Sequence, residues 1–300
     1  MVKFAHLTSR YAPGDSNESS DSARLAVLHN DSVWFLDELL DDAPRDLQAL
    51  LEQSENEIER IRSIVKRSSA RDNTRRKRSD FHSVSAILRP PAIIAVGLNY
   101  AAHATELELA SETAPTVFSL LPSSLTGHGQ TTSWNESLSA QVDYEVELGV
   151  VIGSSARNVT AANALDHVFG YTIVNDITAR NVQFSEAQWT RCKSFDGFSP
   201  VGPVVVTRDE IVDPQALHLT TSVDGHVVQD ASTATMVRSV AEIVSFLSRG
   251  TTLAPGTLIS TGSPGGAGYS RTPPVFLSDG TSVTVSIEGI GQLTTHCRVY

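Results

Sequence analysis

The fold is indicated most clearly by one stretch of sequence, DYEVELGVVIG at residues 143–153. Its second half is rich in β-branched residues, which is typical of a buried strand. Side chains two apart on a strand face the same way, so Glu145 and Glu147 would lie about 6–7 Å apart along the backbone. Two converging carboxylates repel each other unless positive charge lies between them, and a divalent cation that prefers oxygen ligands would supply it. The pair could also face solvent on an edge strand, so both interpretations stay open here.

A second stretch, YTIVNDITAR at residues 171–180, is an apolar strand that ends in Asn-Asp. A carboxylate at a strand end, where the chain turns, can supply a third oxygen ligand, although an isolated Asp176 would more often be a helix N-cap. Lys193 follows among aromatic and small residues. A partly buried lysine near a metal would have a lowered pKa and could polarise a carbonyl group, whereas an isolated lysine is ordinarily a surface charge.

A third stretch, GLNYAAHATE at residues 97–106, places His103 and Glu106 three residues apart. On a helical turn this spacing brings the carboxylate beside the imidazole. The carboxylate would fix one ring nitrogen and leave the other free to take a proton from water, or the two residues could form a simple helix-surface contact. The small residues around His103 suggest a mobile lid, so we expect His103 to lie away from the carboxylates when no substrate is bound.

Together these stretches resemble the fumarylacetoacetate hydrolase family, especially its smaller bacterial members. The resemblance covers about two thirds of the chain, from Ala92 to Cys297. Eight pieces occur in the family's order: GLNYAAHATE, FSLLPSSLTG, DYEVELGVVIG, GYTIVNDITAR, KSFDGFSPVGP, VDGHVVQ, LAPGTLISTGSPGGAG and IEGIGQL.

The resemblance implies a metal site. Glu145, Glu147 and Asp176 match the residues that bind a divalent metal in this family, which is usually magnesium and sometimes manganese or calcium. Lys193 matches the family lysine that contacts the substrate oxygens. The resemblance thus assigns four residues to the site, which are the three metal ligands and this lysine.

The resemblance also implies catalytic and substrate-binding residues. His103 and Glu106 match the dyad that activates water in members that hydrolyse or decarboxylate. Gln183 and Ser263 match substrate-contacting positions, and the family commonly has threonine where Ser263 stands, so the hydroxyl is retained.

One position departs from the family pattern. Two residues after Phe118 the family usually has lysine, and this chain has Leu120. A leucine cannot pair with a substrate carboxylate or supply a proton. The departure therefore weakens any match to family substrates that are anchored by an acid group, without touching the metal chemistry.

The fold implied by the resemblance is α+β and β-rich. We expect a mixed, rolled β-sheet catalytic domain over residues 81–300, preceded by a small N-terminal α+β domain over residues 1–80. The composition, with 40% hydrophobic and 19% charged residues among 300, is that of an ordinary globular chain. Strand-like runs punctuated by Gly and Pro agree with this fold, and they are Ile93–Val96, Glu145–Ile152, Val201–Val206, Leu258–Thr261 and Val283–Ile287.

The N-terminal residues predict strands over 3–7 and 23–28, then a turn over 29–32 and a further strand. Asp46 is expected to cap a helix whose apolar residues recur at helical spacing as far as Val65. Late in the chain, Ser239 is expected to cap a helix over 240–247.

The formal net charge of −11 is unevenly spread, because residues 66–80 carry seven Lys or Arg against two Asp. A basic run can bind nucleic acid. This one lacks the interleaved aromatic residues that stack on bases, and the rest of the chain is acidic enough to repel phosphates. We therefore expect a solvated linker and no nucleic-acid partner.

Several other classes of protein are disfavoured. The sequence has no window of 18 uninterrupted apolar residues, so no membrane span is predicted. The first residues lack the apolar core of a signal peptide. Cys192 and Cys297 are too few for a disulfide framework or a cysteine zinc site. A cytoplasmic location is therefore expected.

The chemistry implied by the resemblance is hydrolysis of a C–C bond. His103 would take a proton from water while Glu106 orients it, and the leaving carbon of a 1,3-dicarbonyl or acylpyruvate-type substrate would depart as a metal-bound enolate. The alternatives are a hydratase, decarboxylase or isomerase acting on a related 2-oxo acid, or a binding protein that has lost catalysis. The family usually forms homodimers, so a homodimer is expected.

Overall fold

The structure is a computed structural model that describes residues 2–9, 22–29, 32–53, 56–68, 76–106 and 114–300. The helices in these ranges are α1 (Leu36–Leu39), α2 (Leu47–Leu51), α3 (Asn56–Ser68), α4 (Ala101–Glu106), α5 (Ala161–Ala164), α6 (Arg180–Ser185) and α7 (Val240–Leu247). The strands are β1 (Lys3–Ser9), β2 (Arg24–His29), β3 (Ser32–Phe35), β4 (Arg76–Lys77), β5 (Phe81–Ser83), β6 (Ile93–Gly97), β7 (Thr116–Ser119), β8 (Leu125–Thr126), β9 (Thr131–Trp134), β10 (Val142–Asp143), β11 (Val146–Ile152), β12 (Val168–Asn175), β13 (Thr178–Ala179), β14 (Ser199–Thr207), β15 (His218–Val223), β16 (His226–Ser232), β17 (Leu258–Ser260), β18 (Ser282–Ile287) and β19 (Gly291–Val299).

The main sheet has the strand order β4-β3-β2-β1-β14-β12-β11-β17-β6-β7, with β5 beside β1 and β8 beside β14. Its pairs are antiparallel except for β6 with β17 and β8 with β14, which are parallel. A second sheet has the order β16-β15-β18-β19-β9, and β10 pairs with β13. The expected mixed, strand-rich α+β fold is confirmed.

The two central strands, β11 and β12, are buried along their whole length. Their sequences are largely apolar because both faces of the main sheet are covered. One face packs against the second sheet and α7 through a cluster that includes Val150, Ile243 and Val285. The other face packs under α2 and α3 through a cluster that includes Leu50 and Ile61. Each such side chain stabilises the fold by about 1.5–3 kcal/mol when fully buried.

The single helix expected after Asp46 is wrong in its length. Asp46 does cap α2, because its Oδ1 accepts a hydrogen bond of 2.8 Å from the Ala49 amide. However, α2 ends at Leu51 and α3 begins at Asn56. Residues 52–56, EQSEN, contain no apolar side chain to continue the buried face, and their polar residues favour helix ends.

The helix expected over 240–247 is confirmed with its cap. Ser239 Oγ accepts from the Glu242 amide, and the Glu242 carboxylate accepts from the Ser239 amide at 2.8 Å. This reciprocal capping box satisfies two of the amide groups that a helix leaves unpaired at its start.

The basic segment is not a linker over its whole length. Residues 66–68 form the last turn of α3, and Arg76–Lys77 is β4, which pairs with β3. Seven residues between them, 69–75, lie outside the described residues. The expected N-terminal hairpin is present as antiparallel pairing of β2 with β3, and residues 30–31 of its turn are also outside the described residues. Since β1 pairs with β14, hydrogen bonding of the main sheet crosses the expected domain boundary at residue 80. Within the described ranges, no helix has both the length and the apolar character that crossing a membrane requires.

His6 joins the N-terminal strands to α2 and to the chain after β5. Its ring is buried, with Nδ1 3.0 Å from the Ala86 carbonyl oxygen and Nε2 accepting from the Leu47 amide at 3.1 Å. These partners require a neutral imidazole with its proton on Nδ1. Burial lowers the pKa of His6 to about 4, more than the attraction of Asp46 raises it.

The contribution of His6 to stability should depend on pH. Between about pH 6.5 and pH 4 the unfolded chain binds a proton at this histidine that the folded chain does not, so stability falls as the pH falls through this window, by about 3 kcal/mol in total. The His6→Asn variant should be less stable at pH 7 and should lack this component of the pH dependence. Urea unfolding of both proteins from pH 7 to pH 4 measures it, and parallel pH profiles would contradict the assignment.

Candidate metal centre

The register of two central strands brings three carboxylates together. Antiparallel pairing of β11 with β12 aligns Val146 with Asn175, and the Asp176 amide continues the ladder by donating to the Glu145 carbonyl at 2.9 Å. Glu145 therefore lies opposite Asp176, and Glu147 follows two residues along the same strand. All three side chains are buried, and carboxylate oxygens from each lie within 4.8 Å of one another. These three residues are called the triad below, and their burial excludes the solvent-facing alternative.

The triad carries negative charge that its surroundings do not fully compensate. Burial, together with repulsion from Asp176 and Glu145, raises the pKa of Glu147 to about 8. Burial and Glu145 likewise raise the pKa of Asp176 to about 6, against the opposing effect of Lys193. Glu147 Oε2 accepts from Ser260 Oγ at 2.5 Å and from the Gly262 amide at 2.8 Å, but Asp176 Oδ1 is buried without a hydrogen bond. An unpartnered carboxylate oxygen among three acidic side chains fits a divalent cation that prefers oxygen ligands.

Lys193 lies against the triad rather than on the surface. Its Nζ donates to Glu145 Oε2 at 2.8 Å, to Asp176 Oδ2 at 2.6 Å and to Thr178 Oγ1 at 2.9 Å. The expected lowering of its pKa is not found. Burial acts in that direction, but the attraction of Asp176 and Glu145 outweighs it and raises the pKa of Lys193.

Arg180 is the site residue that the sequence analysis missed. It is fully buried, and its Nε donates to Asp143 Oδ1 at 2.8 Å, its Nη2 to Glu145 Oε1 at 2.6 Å and its Nη1 to Gln183 Oε1 at 2.9 Å. Burial would raise the pKa of Glu145, yet Lys193, Arg180 and His103 together hold it well below its usual value. The excess of acidic residues in residues 143–147 was the available signal, because buried acids require a cationic partner.

His103 and Glu106 meet on α4, as the spacing predicts. His103 Nδ1 lies 3.4 Å from Glu106 Oε2, and its Nε2 lies 3.2 Å from Glu145 Oε1. The expectation that His103 lies away from the carboxylates is wrong. The Gly266 amide fixes Glu106 at 2.8 Å, and carboxylates on both sides hold the imidazole. Burial opposes its charge, but Glu145 and Glu106 prevail and raise the pKa of His103 to about 9.

Gln183 and Ser263 both line the cavity in front of the triad, which has a volume of about 10 Å³. Gln183 is held by Arg180, as described above. Ser263 Oγ accepts from Gln229 Nε2 at 3.0 Å, and Gln229 is a second residue that the sequence analysis missed. Its amide side chain also donates to the Pro264 carbonyl and accepts from the Val146 amide and from Thr221. The cavity offers about the room of one water molecule, so a substrate must displace part of its wall to reach the triad.

Leu120 does not line this cavity. Its side chain is buried in the apolar cluster that also contains Ile93 and Phe118, and its amide donates to the Ile93 carbonyl at 3.1 Å. The position therefore contributes packing and no charge.

Replacing Arg180 should strongly destabilise the protein. The Arg180→Met variant leaves Asp143 buried without a cation and Glu145 with Lys193 as its remaining permanent cation, which should lower the free energy of unfolding by about 3–5 kcal/mol. Arg180→Lys keeps the charge but loses the planar fork, so its loss should be smaller. The matched control is Arg191→Met, which breaks the exposed pair with Glu186 and a contact over the Phe195 ring and should cost less than about 1 kcal/mol. Urea unfolding measures all three, and similar losses for Arg180→Met and Arg191→Met would contradict this role.

Removing one carboxylate of the triad should weaken metal binding without lowering the stability of the metal-free protein. Glu147→Gln relieves repulsion within the triad, so the metal-free variant should be at least as stable as the parent, while its affinity for Mg²⁺ should fall at least about tenfold because a charged ligand is lost. Calorimetric titration and urea unfolding test the two effects separately. Glu186→Gln, on the surface, is the control, and unchanged Mg²⁺ affinity in Glu147→Gln would exclude a cation at the triad.

Comparison with known proteins assigns the family. The model of the fumarylacetoacetate (FAA) hydrolase C-terminal domain matches residues 92–298. An uncharacterized protein of Staphylococcus aureus is 36% identical over 281 residues, which are 90% of this chain and 93% of that protein. The solved fumarylacetoacetate hydrolase from the psychrophilic Exiguobacterium antarcticum is 33% identical, with a TM-score of 0.80 over 100% of both chains. The 2-hydroxyhepta-2,4-diene-1,7-dioate isomerase from Mycobacterium marinum is 30% identical, with a TM-score of 0.73 over 100% of this chain and 99% of that one. On these grounds, the chain belongs to the fumarylacetoacetate hydrolase family.

Proposed function

We propose that this protein is a metal-dependent hydrolase that cleaves a C–C bond in a 1,3-dicarbonyl or acylpyruvate-type substrate. One observation carries the proposal: His103 lies with one ring nitrogen at Glu106 and the other 3.2 Å from Glu145 of the triad. An imidazole thus lies directly beside a candidate cation site, whose positive charge would lower its pKa and let it accept a proton, as activation of water requires. The similarity to the Exiguobacterium antarcticum hydrolase supports the same reaction class.

In this proposal Glu145, Glu147 and Asp176 hold the cation, with Mg²⁺ the first choice and Mn²⁺ or Ca²⁺ the alternatives. When bound, the cation would supply positive charge to two substrate oxygens in 1,3 relation. The charge on the triad is matched to it, because Glu147 and Asp176 are the carboxylates that the protein's own cations leave partly uncompensated.

His103 acts as the general base in this proposal. The imidazole must be neutral to accept a proton, and positive charge at the triad lowers its pKa because like charges repel. Glu106 holds the ring by Nδ1 and stabilises the imidazolium that forms when Nε2 takes a proton from water. The hydroxide adds to the acyl carbonyl, and the bond between the acyl carbon and the neighbouring methylene breaks with its electron pair on the methylene carbon. The proton held by His103 returns to that carbon, so an acylpyruvate and water give a carboxylic acid and pyruvate.

Lys193 stabilises negative charge on the substrate oxygens, since its Nζ is held at the edge of the triad by Asp176 and Glu145. Gln183 and Ser263 contact the substrate, and both line the cavity in front of the triad. Arg180 and Gln229 act indirectly, because each holds one of these two residues in place.

Isomerisation of a related 2-oxo acid is the second candidate. The Mycobacterium marinum relative is named an isomerase of a dienedioate and is 30% identical. An isomerase moves a proton within the substrate and consumes no water, so its products differ from those of a hydrolase. Hydratase and decarboxylase reactions on 2-oxo acids use the same site geometry and are distinguished by their products too.

The oligomeric state, the location and the domain division complete the proposal. We propose that the protein is a homodimer and that it is divided into domains at residues 1–80 and 81–300. We also propose a cytoplasmic location, in keeping with two cysteines that are free and buried. Sedimentation at micromolar concentration tests the dimer, and a monomer there would contradict it.

A substrate screen tests the reaction class. Acylpyruvates, β-diketones and 2-oxo acids are incubated with Mg²⁺, and the loss of enol absorbance and the products are recorded. A hydrolase should release pyruvate from an acylpyruvate, lose activity when a chelator removes the metal and recover it when Mg²⁺ is restored. A binding protein would convert none of these compounds at any metal concentration.

Replacement of His103 tests the mechanism. His103→Ala should lower turnover of the substrate by about 10²–10⁴-fold while leaving Mg²⁺ affinity within a few-fold of the parent value. Glu106→Gln should lower it less, because the amide can still orient the ring. The control is His218→Ala, which removes another histidine paired with a carboxylate, at the surface and 2.7 Å from Asp230. Full activity of His103→Ala would exclude the hydrolytic mechanism and leave the metal site intact.

A further inference from the structure

The cavity in front of the triad has two chemically different sides. One side is formed by the triad with Lys193, His103, Gln183 and Ser263, and the other by Gly97, Leu98, Phe118 and Trp189. The polar side provides for a dicarbonyl head. The apolar side has no part in the proposed chemistry. Phe118 and Trp189 also belong to the packing of an apolar cluster, but the faces that line the cavity are turned toward the remainder of a bound substrate.

Two aromatic rings form most of the apolar side. Phe118 and Trp189 pack edge to face with their centroids 5.4 Å apart, a preferred geometry for such pairs. The indole lies directly on Gly97, because a Cβ at that position would come within 2.5 Å of Trp189 Cζ3. Trp189 is only half-buried, so the aromatic surface continues from the cavity toward the solvent.

Leu98 adds an apolar side chain under backbone strain. Its φ is +57°, a left-handed conformation that is unfavourable for leucine and normally taken by glycine or asparagine. Despite this conformation Leu98 is 8% exposed and faces the cavity. A residue kept in an unfavourable conformation at a site is a reason to look for a function of its side chain.

Among the described residues that line the cavity, no permanent cation lacks an acidic partner. Lys193 is the lining residue with a permanent positive charge, and its Nζ lies 5.6 Å from the centroid of Phe118. Its charge is already compensated by Glu145 and Asp176, and in the proposed function it serves the dicarbonyl oxygens. Each nitrogen of Arg180, which lies behind the triad, is likewise engaged by a protein acceptor. A second carboxylate on the substrate would lie against Leu98, Phe118 and Trp189 without a cationic partner, and it would lose part of its hydration there, which is costly.

We propose that the end of the substrate remote from the dicarbonyl group is uncharged and apolar, and that Leu98, Phe118 and Trp189 select it. The inference rests on the proposed function, since it names the class of acyl group that the same site accepts. The preferred substrates are acylpyruvates with an aliphatic or aromatic acyl chain, and acylpyruvates with a second carboxylate are rejected.

A matched pair of substrates tests the proposal. 4-Methylpentanoylpyruvate and succinylpyruvate have the same length, and the branched methyl end of the first has the shape of the terminal carboxylate of the second. With Mg²⁺ present, kcat/KM for the first should exceed that for the second by at least about 10²-fold. Calorimetric binding of both to metal-loaded His103→Ala protein should show the same order of affinity.

Substitutions at the apolar side test which residues select the acyl chain. Leu98→Asn keeps the size of the side chain and suits a positive φ, and Trp189→Ala removes the indole. Each should lower kcat/KM for 4-methylpentanoylpyruvate by about tenfold or more and change that for acetylpyruvate, which ends in a methyl group, by less than about threefold. Phe246→Ala truncates a half-buried aromatic residue outside the cavity, and it should leave kcat/KM for both substrates unchanged.

The outcomes are distinct. Equal or better use of succinylpyruvate would overturn the inference and leave the proposed function standing, as would equal losses on both substrates in Leu98→Asn and Trp189→Ala. Absence of turnover with every acylpyruvate and metal would overturn the proposed function and this inference with it.

Discussion

The structure depends on an imbalance of buried charge. Four carboxyl groups are buried beside two permanent cations, so the cluster would carry an excess of two negative charges if every carboxyl group were ionised and His103 were neutral. The raised pKa values of Glu147 and Asp176 follow from this excess. A divalent cation has the opposite charge of the same size. Buried charges without partners are costly, and the protein concentrates that cost in one place rather than distributing it. The buried residues concerned are Asp143, Glu145, Glu147, Asp176, Arg180 and Lys193.

The fold can tolerate this cluster because its central strands are held on every side. β11 and β12 pair over seven positions, and each has a further strand on its outer edge. The apolar halves of these strands lie in the two hydrophobic clusters, while the acidic residues are confined to the strand ends nearest the cavity. The same two strands therefore provide both the packing that stabilises the sheet and the buried carboxylates whose mutual repulsion destabilises it. This division between strand body and strand end is why function and stability can be altered separately.

Much of the fold and of the site was predictable from local sequence. The alternation at Glu145 and Glu147, the strand end at Asp176 and the spacing of His103 and Glu106 each depend on a few neighbouring residues, and each is found as expected. Arg180 was not predictable in this way, because its partners become neighbours only through the pairing of β10 with β13 and the register of β11 on β12.

Of two other errors, the first had a local origin and the second had the same long-range origin as Arg180. The interval between α2 and α3 was assigned to one helix because apolar spacing on both sides suggested continuity, and spacing does not report where a helix ends. His103 was expected far from the triad because its small neighbours suggested mobility. Its ring is held between Glu145 and Glu106, and the Gly266 amide that fixes Glu106 lies 160 residues away in the sequence.

Gln229 gives the site a dependence on strand register. Its side chain makes hydrogen bonds to β11, β15 and the turn that carries Ser263, so it points inward from β16 toward the cavity. The hairpin turn that precedes it, at Asp224 and Gly225, is exposed. The pairing of β15 with β16 already shifts by one residue between this turn and Gln229. Because side chains otherwise alternate along a strand, a further single-residue insertion carried into the ladder would turn the glutamine to the opposite face. An insertion of two residues would preserve its direction. The spacing between a solvent-exposed turn and a buried amide therefore limits which changes in chain length this region can accept during evolution.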